Sequence, residues 1–513
     1  MKNFYICSTL FALIFMLYSG LAWSQSKNTA RIKIDIERQI GEIDKNLYGN
    51  FTEHLGRCVY GGLYDPASKE SDQYGFRKDV EAGIKALNIP VLRWPGGNFT
   101  SGYHWQDGIG PADQRPVRID LAWGAHETNR IGTDEFLGFC KRMNIEPYVC
   151  VNLGTGSLDE ARDWVEYCNT DKGTYFSNLR RKNGSEQPYK VKYWGLGNEM
   201  DGPWQMGHKN AEDYGKYALE AAKLMKWVDP EIKLVASGSS NYGGDWIQWN
   251  RTVLDYLVNY IDYISLHQYV GNRENDYYKF MTSSLDMERN IKIVKNEITE
   301  AMIRAHREKP VYIAFDEYNV WYRVYIEQRL EEVYDLEDAL VIAQFLNAFV
   351  RNADIVKMAN MAQLVNVIAP MLIKNDTLFY QTIFYPLQLF ANNCTGESLD
   401  VFVDCDTFST KDHPDVPYLD VSSAYDKANH QLVINVVNRN KDDALATDII
   451  SQYGKFSGQA TVYTVNGKDI KDSNSTKEQK VKSATTQVKA TGDRFTYNFP
   501  AHSFTMIRVK MEE

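Results

Sequence analysis

The chain has 513 residues, more than one compact core usually holds, so two domains are expected. Hydrophobic residues make up 44% and charged residues 24%, the balance of an ordinary soluble globular protein. A formal net charge of -10 argues against nucleic acid or an anionic membrane surface as the partner.

At the N-terminus, Lys2 is followed by the apolar run Phe11-Ala12-Leu13-Ile14-Phe15-Met16-Leu17, with small residues at Ala22 and Ser24. That pattern predicts a secretory signal peptide over 1–24 and an exported protein, periplasmic or extracellular. An uncleaved membrane anchor is the alternative, although the run is short for a span. No later run is long and apolar enough to cross a bilayer. Of seven Cys, Cys7 leaves with the leader. Cys58, Cys140, Cys150, Cys168, Cys394 and Cys405 show no metal-binding spacing. Mostly free, buried thiols are expected, with Cys394 and Cys405 the pair to check first.

Residues 31–37 alternate polar and apolar and read as a half-buried strand. Strand patterns then recur at 47–53, 91–98, 148–153, 193–199, 233–239, 263–269, 311–317 and 356–363. Helical patterns lie between most of them, at 79–88, 133–144, 211–228, 245–260, 284–309, 336–352 and 380–392. Thr133 is expected to cap one helix, and Ser157-Leu158-Asp159-Glu160 is a capping box opening another. Eight strands alternating with helices predict a (β/α)8 TIM barrel. A doubly wound open sheet is disfavoured because no glycine-rich phosphate loop follows the first strand. From about residue 395 the pattern becomes short strands and polar turns, an all-β sandwich, jelly-roll-like. Its expected strands are 399–403, 418–425, 431–438, 460–465, 495–499 and 503–509, while 471–489 reads as a solvated loop or hairpin. The domain plan is thus a leader over 1–24, a strand within 25–44 expected to join the sandwich, a barrel over 45–394 and the sandwich over 395–513.

Two barrel strands end in acids: Tyr193-Trp194-Gly195-Leu196-Gly197-Asn198-Glu199 and Val311-Tyr312-Ile313-Ala314-Phe315-Asp316-Glu317. Barrel chemistry sits at the C-terminal strand ends. Glu199 and Glu317 are therefore expected to converge as the paired carboxylates that glycoside hydrolysis uses. An aromatic share of 13%, with 11 Trp and 33 Tyr, suits a large core and also suits stacking on sugar faces. Other strand ends carry Asn50-Phe51-Thr52-Glu53-His54, Arg93-Trp94-Pro95-Gly96-Gly97-Asn98-Phe99, Ser265-Leu266-His267-Gln268-Tyr269, Asp316-Glu317-Tyr318-Asn319-Val320-Trp321-Tyr322 and Asn360-Met361-Ala362-Gln363.

Together these motifs resemble glycoside hydrolase family 51, the α-L-arabinofuranosidases, over nearly the whole mature chain. The resemblance implies a retaining, exo-acting enzyme with Glu199 as acid/base and Glu317 as nucleophile. It implies that Glu53, Asn98 and Asn198 bond sugar hydroxyls, that His267 and Tyr269 sit beside the nucleophile, and that Trp321 and Gln363 line the pocket. It implies no metal, no organic cofactor and a homo-oligomer, often a hexamer. Tyr318 stands where the family commonly has Trp, and is expected to keep an aromatic wall. Arg93, Tyr269 and Asn198 are the candidate donors that keep Glu317 ionised. The loops at 103–123 and 175–189 are expected to wall the barrel mouth into a pocket. His54 and Cys58 read as packing.

The expected activity is release of terminal arabinofuranosyl units from arabinan, arabinoxylan or their oligosaccharides. Another retaining barrel glycosidase, such as a β-xylosidase or endoglucanase, is the second reading; Glu53 and Asn98 argue against it. A non-catalytic carbohydrate-binding protein is the third, and a binder has no need of both Glu199 and Glu317.

Overall fold

The computed structural model describes residues 30–324 and 330–512; the leader expected over 1–24 lies outside them. The eight barrel strands are Gly49–Phe51, Val91–Trp94, Glu146–Val151, Tyr193–Leu196, Lys233–Ala236, Tyr263–Val270, Tyr312–Val320 and Val356–Ala362. Each pairs in parallel with the next, and Asn360 opposite Gly49 closes the ring. The runs are apolar on both sides because one face fills the barrel and the other meets the helices. Val91, Tyr148, Tyr193, Val235, Tyr263, Ala314 and Met358, one from each of seven strands, pack as the barrel floor. Their neighbours Leu92, Trp194, Leu234, Ile264 and Phe315 turn outward to the helix layer. The (β/α)8 barrel expected from the alternating patterns is the observed one.

The helices begin and end as their local chemistry dictates. Ser157 accepts from the Glu160 N–H at 3.1 Å and opens Leu158–Asn169. Asn88 and Asn144 end their helices in the left-handed conformation that Asn tolerates. Thr133 is not a cap: Gly132 holds that place, and the Thr133 hydroxyl accepts from the Trp164 indole at 3.0 Å. Tyr380 belongs to a hairpin, Met371–Lys374 with Thr377–Tyr380, so the last barrel helix starts later, at Phe384–Asn393.

Eight C-terminal strands and the N-terminal Ala30–Glu42 form one nine-stranded sheet. Its order is Lys482–Lys489, Lys455–Asn466, Ser503–Glu512, Gln431–Asn438, Leu419–Asp426, Glu397–Asp404, Ala30–Glu42, Leu445–Ser451 and Arg494–Phe499. Phe456 and Phe495, seven places apart in that order, touch at 4.9 Å, so the sheet folds into two layers over its own core. Ile32, Ile34 and Ile36 of Ala30–Glu42 fill that core with Leu432, Ile434, Val462 and Ile507. That strand runs antiparallel to Glu397–Asp404 and parallel to Leu445–Ser451. One strand, Leu445–Ser451, was not expected, and Lys482–Lys489 lies in the segment read as a solvated loop or hairpin. Leu445–Ser451 has only a partial alternation, and Lys482–Lys489 is an exposed edge strand with almost no apolar face to betray it. Helix Leu336–Arg351 lies between barrel and sheet; its end residue Arg351 donates to the Val421 carbonyl at 3.0 Å. From Leu336 to Val350 every residue of this helix is buried, including the polar Glu337, Asp338, Gln344 and Asn347. The six Cys from Cys58 to Cys405 are free and buried, Cys394 and Cys405 included. No helix among the described residues is long and apolar enough to cross a membrane.

Candidate active site

The candidate site residues gather at the C-terminal mouth of the barrel. His267 and Tyr269 end the sixth strand and stand opposite Glu317 and Asn319 of the seventh. The seventh strand changes register between Ala314 and Glu317 on one side and between Phe315 and Tyr318 on the other. Side chains on a strand alternate, but a bulge breaks the alternation. Asp316 and Glu317 therefore both reach the barrel interior, one above the other. Tyr318 is turned out, edge-on to Phe349 at 5.0 Å and fully buried against the helix layer, so it does not form the aromatic wall expected of it.

Glu317 Oε1 accepts from Arg93 Nη1 at 2.6 Å, and Oε2 accepts from the Tyr269 hydroxyl at 2.7 Å. Asn198, the third expected donor, bonds elsewhere: its Oδ1 accepts from Arg93 Nη2 at 2.5 Å. Its Nδ2 faces Asn98 Oδ1 at 3.5 Å. Arg93 thus holds two strand ends at once, stacked 4.6 Å over the Phe51 ring.

Glu199 follows Gly197-Asn198 with a left-handed φ of 45°, a strained conformation of the kind found at functional sites. Its Oε1 lies 3.0 Å from His267 Nδ1, and its Oε2 accepts from the Trp204 indole at 2.5 Å. Burial, reinforced by the Glu317 charge, raises its pKa above the ordinary carboxylate value against the pull of His267. Single oxygens of Glu199 and Glu317 and a His267 nitrogen lie within 4.8 Å of one another.

Glu53 is buried and accepts from the Phe99 N–H at 3.1 Å, the Trp123 indole at 2.9 Å and Gln363 Nε2 at 2.9 Å. Those donors favour the charged form, but burial and the Glu317 charge win and push Glu53 up to about 8. A Cβ on Gly96 or Gly97 would stand 2.7 Å or 3.0 Å from this side chain, which is why the motif needs two glycines there. Trp321 packs edge-on to Tyr269 at 5.8 Å. Burial alone would keep His267 neutral, yet Glu317, Asp316 and Glu199 hold its pKa up at about 10. Burial likewise opposes charge on Asp316, but Arg93 and His267 bring its pKa below the ordinary value.

The structure therefore joins Glu53, Asn98, Asn198, Glu199, His267, Tyr269, Glu317, Trp321 and Gln363 in one connected cluster. It adds residues that the sequence did not single out. Trp123 and Trp204 come from irregular loops with no period to read, and Asp316 and Tyr148 lie beneath the carboxylates. The 103–123 loop does reach the site through Trp123. The 175–189 segment does not: Tyr189 bonds Asp134 at 2.7 Å and Arg180 bonds the Tyr167 carbonyl at 2.8 Å, both on the outer flank. His54 and Cys58 are packing residues, His54 at 2.8 Å from Glu127 and stacked on Phe99.

Comparison with known proteins places this geometry. Residues 83–288 match the family model "Alpha-L-arabinofuranosidase 1 domain", and residues 316–503 match "Alpha-L-arabinofuranosidase C-terminal domain". Intracellular exo-alpha-(1->5)-L-arabinofuranosidase 1 of Bacillus subtilis is 44% identical over 94% of this chain and 99% of its own. The α-L-arabinofuranosidase of Thermotoga maritima, solved as an arabinose complex, superposes with a TM-score of 0.87 at 40% identity, over 94% of this chain and all of the other. The GH51 enzyme of Thermotoga petrophila gives the same values. These relatives also correct one expectation. The Bacillus subtilis protein is named intracellular, as are relatives from Halalkalibacterium halodurans and Acetivibrio thermocellus, and this overturns the export read from residues 1–24. In sequence, in fold and in the family models it matches, this chain belongs to the α-L-arabinofuranosidases of glycoside hydrolase family 51.

Proposed function

We propose that the chain is a retaining, exo-acting α-L-arabinofuranosidase, releasing terminal α-L-arabinofuranosyl residues from arabinan, arabinoxylan or arabino-oligosaccharides. Glu317 is the nucleophile and Glu199 the acid/base. The observation that carries this reading is the closeness of the two acids, with oxygens within 4.8 Å. Retaining enzymes hold their carboxyl groups about 5–5.5 Å apart, whereas inverting enzymes leave about 6.5–9.5 Å for a water.

In the first half of the reaction a Glu317 oxygen bonds to the anomeric carbon. The bond to the leaving oxygen breaks, and that oxygen takes the Glu199 proton. In the second half the Glu199 carboxylate takes a proton from water, the water oxygen bonds to the anomeric carbon, and Glu317 leaves as carboxylate. Two inversions give retention. Arg93 and Tyr269 hold Glu317 for attack, and burial raises the pKa of Glu199, favouring the protonated form that the acid step needs. Glu53, Asn98, Asn198, His267, Tyr269, Trp321 and Gln363 form the sugar subsite. Gln363 Oε1 is buried without a partner, an acceptor left open for a hydroxyl. A homo-oligomer, a hexamer by the family resemblance, belongs to the same proposal; light scattering tests it, and a monomer overturns it.

Kinetics on paired aryl glycosides test the chemistry. The arabinofuranoside should be cleaved at least about a hundredfold faster than the xylopyranoside, since a site built to bond hydroxyls rejects a ring that misplaces them. Glu317→Ala should abolish turnover of every substrate. Glu199→Ala should harm poor leaving groups far more than activated aryl ones, and azide should rescue it as an arabinofuranosyl azide of retained configuration. A first product of inverted configuration, seen by NMR, would overturn the reading.

A further inference from the structure

Asp316 has no role in the reaction as described, yet it is a densely bonded acid under the site. It is buried, accepts from the Tyr148 hydroxyl at 2.7 Å, and lies 3.5 Å from Arg93 Nε. Its Oδ1 is 3.1 Å from His267 Nε2, while His267 Nδ1 is 3.0 Å from Glu199 Oε1. Both ring nitrogens thus face carboxylate oxygens. A neutral imidazole has one donor and one acceptor nitrogen, and an ionised carboxylate only accepts. With ionised Asp316 at Nε2 and ionised Glu317 beside Nδ1, both nitrogens are called on to donate, and the ring is a cation even while Glu199 keeps its own proton. The same Nδ1 also lies 3.6 Å from Glu317 Oε2. The charged or titratable groups facing the ring are these three acids; Tyr269 and Arg93 stand one group further out on Glu317, and the backbone of His267 is tied to the Ser239 carbonyl.

We propose that Asp316 is a positioning residue that keeps His267 a cation, and that the His267 Nδ1–H serves Glu317 before the covalent bond forms and Glu199 after it. The inference rests on the retaining mechanism above. When the glycosyl ester forms, Glu317 loses its negative charge, and Glu199, having given up its proton, gains one. The charge crosses the site past a cation that does not have to move. That cation lowers the proton affinity of Glu199, which favours handing its proton to the leaving oxygen and leaves it ionised in the covalent intermediate, ready to take a proton from water. The bulge that turns Asp316 inward beside Glu317 is what makes the arrangement possible.

Asp316→Asn keeps the shape and a hydrogen bond to His267 Nε2 but removes the charge that holds the ring protonated. The alkaline limb of kcat/KM should then move up by about one pH unit or more, because Glu199 grips its proton more tightly. On an activated aryl arabinofuranoside, kcat should fall by about a hundredfold with KM falling alongside it, since Glu199 stays protonated, cannot take the proton from water, and the ester accumulates. Azide, which needs no base, should restore kcat. A loss uniform across pH, with KM unchanged and no azide rescue, would mean that Asp316 only props the strand, and overturns the proposal. Should the variant fail to fold, wild-type enzyme labelled with 15N-histidine decides. The ring signals that disappear in His267→Gln should read as imidazolium at pH 8, and a neutral ring there overturns it. Failure of the retaining reading itself shows differently, as an inverted product or no arabinose release from the wild type.

Discussion

Glu53 and Glu199 both hold their protons more tightly than exposed acids do, and burial is the leading cause for each. For Glu199 this sets the alkaline limit of activity: kcat/KM should fall as pH rises through a value above the ordinary carboxylate range, which a pH–rate profile reads directly. For Glu53 it sets a limit on stability. Its folded pKa of about 8 exceeds the ordinary 4.5, so between those values the folded state binds the extra proton and stability falls as pH rises. Glu53→Gln should remove that slope, and Gln363, with a spare oxygen, can turn its amide to meet the new one. The stability advantage of the variant, followed by denaturant unfolding, should grow from pH 5 to pH 8.5 and then level off, reaching on the order of a few kcal/mol. Glu199 and Glu317 were legible in the sequence because each ends an apolar run, where a carboxylate is conspicuous. Asp316 was not, because strict alternation turns it away from its neighbour, and only the register shift in the folded sheet brings it back.

The seventh strand delivers the nucleophile and then runs into the turn that carries Trp321. That turn is held by Arg323, which reaches Glu332 at 3.0 Å, Asp335 at 2.9 Å and Asp338 at 3.0 Å. Glu332 and Asp338 are fully buried, and Asp338 is pushed well above its ordinary pKa by burial and by Asp335. Arg323→Met would leave these acids without their cation, at a cost of about 3–5 kcal/mol. Calorimetry should show the loss, and KM should rise more than kcat falls, because Trp321 loses its anchor while Glu199 and Glu317 keep theirs. All eight barrel strands were visible as apolar runs between helical periods, since burial on both faces leaves a strong signal. Lys482–Lys489 stood out poorly for the opposite reason: an edge strand mostly in solvent carries little pattern. The contacts of Arg323 were equally hidden, because ion pairs among scattered acids follow no period.

At the scale of the whole molecule, Ala30–Glu42 ties the beginning of the described chain to its end. Ile34 is 1% exposed in the sheet core, so Ile34→Asp would bury an unpaired charge at a cost of several kcal/mol, on the order of a broken buried ion pair. Limited proteolysis should then cut within 395–512 before the barrel, and equal resistance of both parts would count against this strand's place in the core. The two-part architecture could be read from the change in texture near residue 395, but the fold-over of one sheet could not, because strand order depends on pairings between residues far apart in sequence. That distance has a consequence for the protein while it is being made. The strand leaves the ribosome early, yet its neighbours, Glu397–Asp404 and Leu445–Ser451, follow only after the entire barrel. At about 5–20 residues per second it waits roughly 20–70 s for them. Through that interval a β-prone segment with three isoleucines on one face is unpartnered. Arg31, Lys33, Asp35 and Glu37 on its other face are the guard against pairing with the wrong nascent chain.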